Sequence, residues 1–266
     1  MAGWRKSSAA DDLEGNMATQ RQIFSSSPSL KQRIGTWLIP RLPFNSHVFQ
    51  HIRAELNGMW VRALHAFHPK YRKAVSALRS RRGIKANIGC GPFGVAGWVN
   101  LDLFWFEHVT LRTDSRCGLP FADASCRGIH VEHFFEHLNH ADERHVFLAE
   151  CFRCLEENGV LRIVVPDAAL FVAAYLSPGW DRFREIAAVN DDPEATFPTK
   201  MAALNHVFIQ DFEHYGGYDE ESLSAVLQQH GFRTISRRSF QTGCFPDGCI
   251  DREQHKPYSL YVEAMK

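Results

Sequence analysis

The sequence predicts an α/β protein built on a doubly wound, mainly parallel seven-stranded sheet, with a helical N-terminal extension. Three observations predict it. From Gly83 onward, short apolar runs alternate with segments of helical period, the pattern of a sheet wound by helices. The first run, Lys85-Ala86-Asn87-Ile88, enters the turn Gly89-Cys90-Gly91, where missing Cβ atoms let a ligand approach bare backbone. Carboxylates then stand at the ends of successive runs, at Asp102, Asp114 and Glu132.

Residues 1–30 are polar and include Ser25-Ser26-Ser27-Pro28-Ser29, without a sustained apolar period, and read as a disordered tail. Residues 31–82 read as a basic helical extension. From Ser46, a suitable N-cap, Phe49, Ile52, Leu56, Met59, Trp60, Ala63, Leu64 and Phe67 recur at helical spacing. His68-Pro69 ends that helix, and a second, basic helix is expected over Lys70–Arg82. The apolar stripe is expected to pack on the body of the protein or on a second subunit, with peripheral membrane contact through residues 31–82 as the other use of such a face.

Residues 83–266 read as one domain. Strands are expected at Ile84–Ile88, Trp98–Leu101, Val109–Thr113 and Gly128–Glu132, followed by a helix over Asp142–Glu157 with Asn158-Gly159 as its C-cap. The apolar run Val160–Val165 predicts a buried fifth strand, stopped by Pro166. A helix is expected from Asp167 to Leu176, an irregular segment over 178–217, and a helix at Glu220–His230 capped by Asp219 and closed by Gly231. Phe232–Ser236 and Ser259–Glu263 supply the last two strands.

Composition narrows the class. With 266 residues and 45% hydrophobic side chains, the chain can bury a sizeable core. No apolar run approaches the roughly 20 residues of a membrane span, and no secretory signal opens the chain. Seven cysteines, an odd number without framework spacing, point to reduced thiols and a cytoplasmic protein. The zero net charge conceals an asymmetry. Residues 1–82 hold 14 Lys and Arg against 4 Asp and Glu, whereas residues 83–266 hold 16 against 26. A basic arm of this kind reaches for anionic lipid, nucleic acid or the acidic body of the same chain; the last is the plainest use, and nucleic acid is not the expected partner.

In a doubly wound sheet, ligands sit beyond the carboxyl ends of the strands, where strand order reverses. A carboxylate ending strand two can accept from a ribose diol, and one after strand three from an adenine amino group. Aspartates also cap ordinary turns. Their recurrence at successive strand ends is what favours a nucleoside pocket.

On these residues the chain resembles the class I S-adenosylmethionine-dependent methyltransferases, and within them the type-11-like methyltransferases often linked to glycan metabolism. The carriers are Asn87-Ile88-Gly89-Cys90-Gly91, Gly97-Trp98-Val99-Asn100-Leu101-Asp102, Asp114, Leu119-Pro120-Phe121-Ala122-Asp123, Glu132-His133-Phe134-Phe135-Glu136-His137-Leu138, Leu155 to Ile163, and Val165-Pro166-Asp167. Tyr218-Asp219 and Gly231-Phe232 also fit. The resemblance covers about residues 84–265. It implies a Rossmann-like fold, S-adenosylmethionine as cofactor, and a small-molecule or glycan acceptor. It further implies a cofactor site drawn from Asn87, Gly89, Cys90, Gly91, Asp102, Leu103, Asp114, Glu132 and His133. Gly89 and Gly91 would lie against the methionine and ribose part, Asp102 would hold the ribose hydroxyls, Asp114 would face the adenine amino group, and His133 would border the acceptor entrance. Two departures stand out. Asn87 occupies a position that is acidic in many class I enzymes, and the short link from Gly91 to Asp102 leaves little room for a helix.

Such a cofactor carries an already activated methyl group, so the protein has to align a nucleophile and exclude water. A hydroxyl nucleophile gains from a base near neutrality, which histidine supplies. His133, His137, His206 and His214 are the candidates, with Glu136 and Asp211 as orienting carboxylates. A scaffold that keeps the fold without catalysis is the main rival. His133-Phe134-Phe135-Glu136-His137 also matches His-x-x-Glu-His, a zinc-hydrolase pattern that needs one helical face through His133; with a strand expected to run into His133, no metal is assigned. Cys151-Phe152-Arg153-Cys154 lacks a second cysteine pair and reads as core packing.

Overall fold

The computed structural model describes residues 46–186, 192–210 and 213–266; the expected tail 1–30 and Asp211 lie outside them. Helices α1 (Ser46–Phe67) and α2 (Pro69–Ser80) precede the sheet domain. The strands are β1 (Ile84–Ile88), β2 (Val99–Asp102), β3 (Leu111–Arg112), β4 (Cys126–Glu132), β5 (Leu155–Pro166), β6 (Thr234–Arg238) and β7 (Ser259–Met265). The helices between them are α3 (Glu143–Cys154), α4 (Ala168–Leu176), α5 (Asp181–Ile186), α6 (Pro193–Thr196), α7 (Lys200–Ile209) and α8 (Glu220–Gln229).

The seven strands lie in the order β3-β2-β1-β4-β5-β7-β6. The first five run parallel, and β7 is antiparallel to both β5 and β6. The order reverses between β1 and β4, so their carboxyl ends, Gly89 and His133, flank the crevice where a ligand is expected in such sheets. Continuous burial along β1, β4 and β5 follows from helices covering both faces, and those strands carry the main core with Phe121, Phe135, Phe147, Leu223 and Leu227.

Several boundaries differ from the expected ones. β2 and β3 shift to Val99–Asp102 and Leu111–Arg112, and β6 starts two residues late, at Thr234. Helix α3 stops at Cys154, so Asn158-Gly159 is not its cap. Asn158, at φ 63°, instead sits inside the irregular entry of β5, where pairing to β4 slips between Cys126 and Gly128. Gly159 is required there, because a Cβ would come within 2.9 Å of the Glu156 carbonyl oxygen. The segment expected to be irregular contains three helices around a second small core of Phe171, Ala174, Phe183, Ala203, Leu204 and Val207. Its polar N-caps, Asp192 and Thr199, carry the helix signal that aromatic richness obscured.

The expectation for the apolar stripe of α1 is also corrected. Within residues 54–67, the side that meets the sheet domain carries Asn57, Gly58, Val61, Arg62 and His65, while Leu56, Met59, Trp60 and Phe67 face outward, each at least 57% exposed. Hydrogen bonds to Asp114, Arg112 and Leu103 select the polar side. Among the described residues no helix is long and apolar enough to cross a membrane.

Candidate active site

A cavity of about 300 Å³ opens at the carboxyl ends of β1, β2 and β4. Gly89, Asp102, Leu103, Asp114, His133 and His137 line it, with Phe104, Thr113, Ser115, Arg116 and Phe134. Gly89 follows β1 at φ 67°, a left-handed conformation that glycine adopts freely, and a Cβ there would stand 2.7 Å from the Phe134 ring. Gly91, also left-handed at φ 53°, has open space where a Cβ would be.

Asp102 ends β2 and is fixed by the glycine turn itself. The Gly91 N–H donates to Oδ2 and the Phe104 N–H to Oδ1, each at 2.8 Å. Burial pushes its carboxyl above the ordinary value against the pull of these bonds. Each oxygen keeps a lone pair, which suits a pair of hydroxyl donors.

Asp114 lies two residues beyond β3, with its carboxylate fully buried. Arg62 donates to Oδ2 at 2.6 Å, while Arg116 donates to Oδ1 at 2.9 Å and to Oδ2 at 3.1 Å. Asp114 therefore stands where the sequence placed it, with most of its acceptor capacity already taken by two guanidinium groups. The paired carboxylates in turn raise the Arg116 guanidinium, against the burial that lowers it. Arg116 also bridges to Glu55 and, at 3.3 Å, to Glu143.

Asn87, Cys90 and Glu132 do not line this cavity. They border a separate space of about 10 Å³ with Phe93, His130, Ile250 and Arg252. Asn87 donates to Asn100 at 3.1 Å, inside the sheet. Burial and the neighbouring Asp102 push the Cys90 thiol up to about 12, so it is protonated at neutral pH. Burial would raise the Glu132 carboxyl, yet hydrogen bonds from His130 and His255 and the Arg252 charge hold it well below the carboxylate range. Arg252 pairs with it at 2.9 Å and also donates to the Glu132 carbonyl oxygen. These are internal braces of the β4 end.

The four histidines separate. His133 sits at φ 52° after β4, its Nε2 2.9 Å from the Ser259 hydroxyl and its Nδ1 3.2 Å from Glu136 Oε1. The His255 ring lies 3.9 Å from its own. His137 follows in a short 3-10 turn, Phe135–His137, with Nδ1 3.0 Å from the Glu213 carbonyl oxygen. His214 is buried behind it, with ring centroids 4.6 Å apart, and burial lowers its pKa. His206, on α7, packs against Phe197 and does not reach the cavity. The zinc-hydrolase pattern lacks the helical face it needs, since a strand runs up to His133 as expected. β4 ends at Glu132, His133 is left-handed and only a 3-10 turn follows, so no α-helical face presents His133 and His137 together. Cys151 and Cys154 are buried in the core, and burial pushes the Cys154 thiol up to about 12.

Arg62, Arg116, Arg252, His255 and Ser259 escaped the sequence reading. Gly58 alone gives a hint, and only of Arg116. A glycine in mid-helix removes the Cβ that would meet Asp114 Oδ2 at 2.6 Å and Arg116 at 2.8 Å.

Residues 97–163 match a family model described as a methyltransferase domain, a span running from β2 to most of β5. No curated protein sequence matches the chain. Among solved structures, a methyltransferase from Thermotoga maritima, described as a possible histamine N-methyltransferase, is similar at TM-score 0.43 and 14% identity, covering 81% of this chain and 99% of its own. A Burkholderia thailandensis 1,6-didemethyltoxoflavin N1-methyltransferase, solved with its substrate and S-adenosylhomocysteine, is similar at TM-score 0.40 and 15% identity, covering 85% and 92%. At that similarity the fold rests on the sheet order itself, and nothing about an acceptor passes from those proteins to this chain. The matched segment, residues 97–163, is similar to a methyltransferase domain.

Proposed function

We propose that the protein transfers the methyl group of S-adenosylmethionine to a hydroxyl of a sugar or other small acceptor, in the cavity between Gly89 and His137. The observation that carries this reading is Asp102: one oxygen is aimed by the Gly91 N–H of the glycine turn and the other by the Phe104 N–H just beyond β2, while it lines the cavity at the sheet's switch point. In this reading Asp102 accepts the ribose hydroxyls, Gly89 and Gly91 admit the cofactor against bare backbone, and Leu103 and Phe104 flank the base. Asp114 keeps one lone pair on Oδ1 for an adenine amino group and otherwise holds Arg116 in the wall and anchors Arg62 of α1.

The cofactor supplies an activated methyl group on sulfur. What the chain supplies is alignment, exclusion of water and a proton acceptor. His133 suits the last role. It lines the cavity, with Nε2 2.9 Å from the Ser259 hydroxyl and Nδ1 3.2 Å from Glu136. His137 lines the same wall, whereas His206 and His214 do not.

Calorimetry with S-adenosylhomocysteine tests the cofactor half. Binding in the micromolar range, weakened at least tenfold in Asp102→Ala, is expected, and absent binding in the wild type overturns it. The acceptor half is tested by methyl transfer from labelled cofactor to a panel of sugars, phenols and amines. Transfer confined to amines sinks the hydroxyl reading. The seven free thiols fit a cytoplasmic setting, and the exposed Leu56, Met59, Trp60 and Phe67 would provide any peripheral membrane or subunit contact.

A further inference from the structure

We propose that Glu136, His137 and His214 form a binding site for one divalent transition-metal ion, behind the cavity wall that His137 lines. A ligand atom of each residue lies within 4.8 Å of those of the other two. Two imidazoles and one carboxylate on one side of an ion, with further positions open, is a donor set that suits zinc, iron(II) or cobalt(II). Magnesium and calcium prefer all-oxygen shells.

The second observation is Glu136 itself. Its side chain is 1% exposed, and neither carboxylate oxygen has a hydrogen-bond partner, although His133 Nδ1 stands 3.2 Å from Oε1 in poor alignment. A buried carboxylate that lacks donors is costly, so one that is retained is usually matched by a cation.

The histidines are prepared in the complementary way. Nδ1 of His137 faces the Glu213 carbonyl oxygen at 3.0 Å, and Nδ1 of His214 faces that of Val207 at 2.7 Å. A carbonyl accepts only from N–H, so both rings carry their proton on Nδ1 and present an Nε2 lone pair. Metal-bound histidines are held in this way. The backbone also ties the two segments together, since the Tyr215 N–H donates to the Glu136 carbonyl oxygen at 3.0 Å. His137 is the most exposed of the three, and an ion about 2 Å from each donor would draw the three closer together than their present spacing.

The site stands independently of the methyl-transfer reading. The test uses full-length protein, stripped with chelator, freed of it and titrated with cobalt(II), without cofactor. One equivalent is expected to bind, with the visible absorption of a low-coordinate nitrogen and oxygen site, and zinc is expected to displace it. His137→Ala and His214→Ala should each weaken binding about 100-fold, and Glu136→Gln, which keeps the shape, at least tenfold. The exposed His68→Ala should change nothing. Thermal melts of each variant identify misfolding, and the nearly isosteric Glu136→Gln then decides. A wild type that binds no equivalent, or a spectrum and affinity unchanged in Glu136→Gln, overturns the proposal. A failed cobalt titration with intact S-adenosylhomocysteine binding removes the metal alone; the converse removes the cofactor reading alone.

Discussion

Arg62 donates to Asp114 at 2.6 Å across 52 residues of chain, tying the α1 helix to the carboxylate at the end of the third strand. Asp114 is fully buried on its side chain and also held by Arg116, so the pair belongs to the cavity wall rather than to the open surface. Arg62→Ala is expected to cost only about 1 kcal/mol, because Arg116 still compensates the buried charge. Its signature should be local. Hydrogen exchange over residues 54–67 should accelerate while β1 stays protected, and equal exchange in wild type and variant would contradict this tie.

The two glycines of the turn should behave differently. Gly89→Ala meets both a left-handed backbone and a ring 2.7 Å from the new Cβ, whereas Gly91→Ala meets only the backbone cost. We expect about 1 kcal/mol of destabilisation for Gly91→Ala and roughly 2–3 for Gly89→Ala. Cofactor binding should weaken in both, and more in Gly89→Ala, because Gly89 lines the cavity and Gly91 does not. Denaturant melts and calorimetry on the two variants check the order, and equal costs would mean that Phe134 moves aside freely.

Arg162 is fully buried in β5, inside a run otherwise apolar. Its guanidinium pairs with both oxygens of Asp251 at 2.7 and 2.6 Å and with Glu263 at 3.0 Å. Arg162→Met fills similar volume but leaves buried Asp251 without its arginine, while Glu263 keeps Arg238, and should cost about 3–5 kcal/mol. A melt showing less than about 1 kcal/mol would mean that water reaches Asp251.

Glu132 sets a pH dependence. In the folded protein its carboxyl titrates below the ordinary value of 4.5, because His130, His255 and Arg252 favour the charged form over the burial that opposes it. Below that value the unfolded chain binds the proton first. The stability Glu132 contributes is therefore complete above about pH 4.5 and drains away as pH falls. Acid titration of the melting temperature should show a shallower fall in Glu132→Gln, and parallel curves would assign acid unfolding to other carboxylates.

What was legible in the sequence was what neighbours along the chain decide. The strand at Ile84–Ile88, the glycine turn, Asp102 at the end of β2 and the Asp219 cap of α8 all follow from local runs and caps, and all are present. The brace of Glu132 by Arg252 spans 120 residues, and that of His133 by Ser259 spans 126; nothing in either segment alone announces the partner. Asn87 and Cys90 show the limit of a motif. The resemblance placed them at the cofactor, while Asn87 in β1 and Cys90 in the turn after it border the small space that Phe93 and Arg252 also line. Hydrophobic period located α1 correctly but gave the wrong inner side, because buried acceptors at Asp114 and Arg112 outweighed the apolar stripe.

The order of the chain gives the Arg62–Asp114 tie a further meaning. Helix α1 leaves the ribosome before the sheet, yet its anchor follows 52 residues later, just beyond a strand that docks on β2. The closing of a loop of that length depends on structure that forms afterwards. Residues 54–67 are thus expected to be the last part of the domain to join during folding and the first to leave under stress. Asp114 and Arg116 of the cavity wall would lose this tie well before the sheet melts.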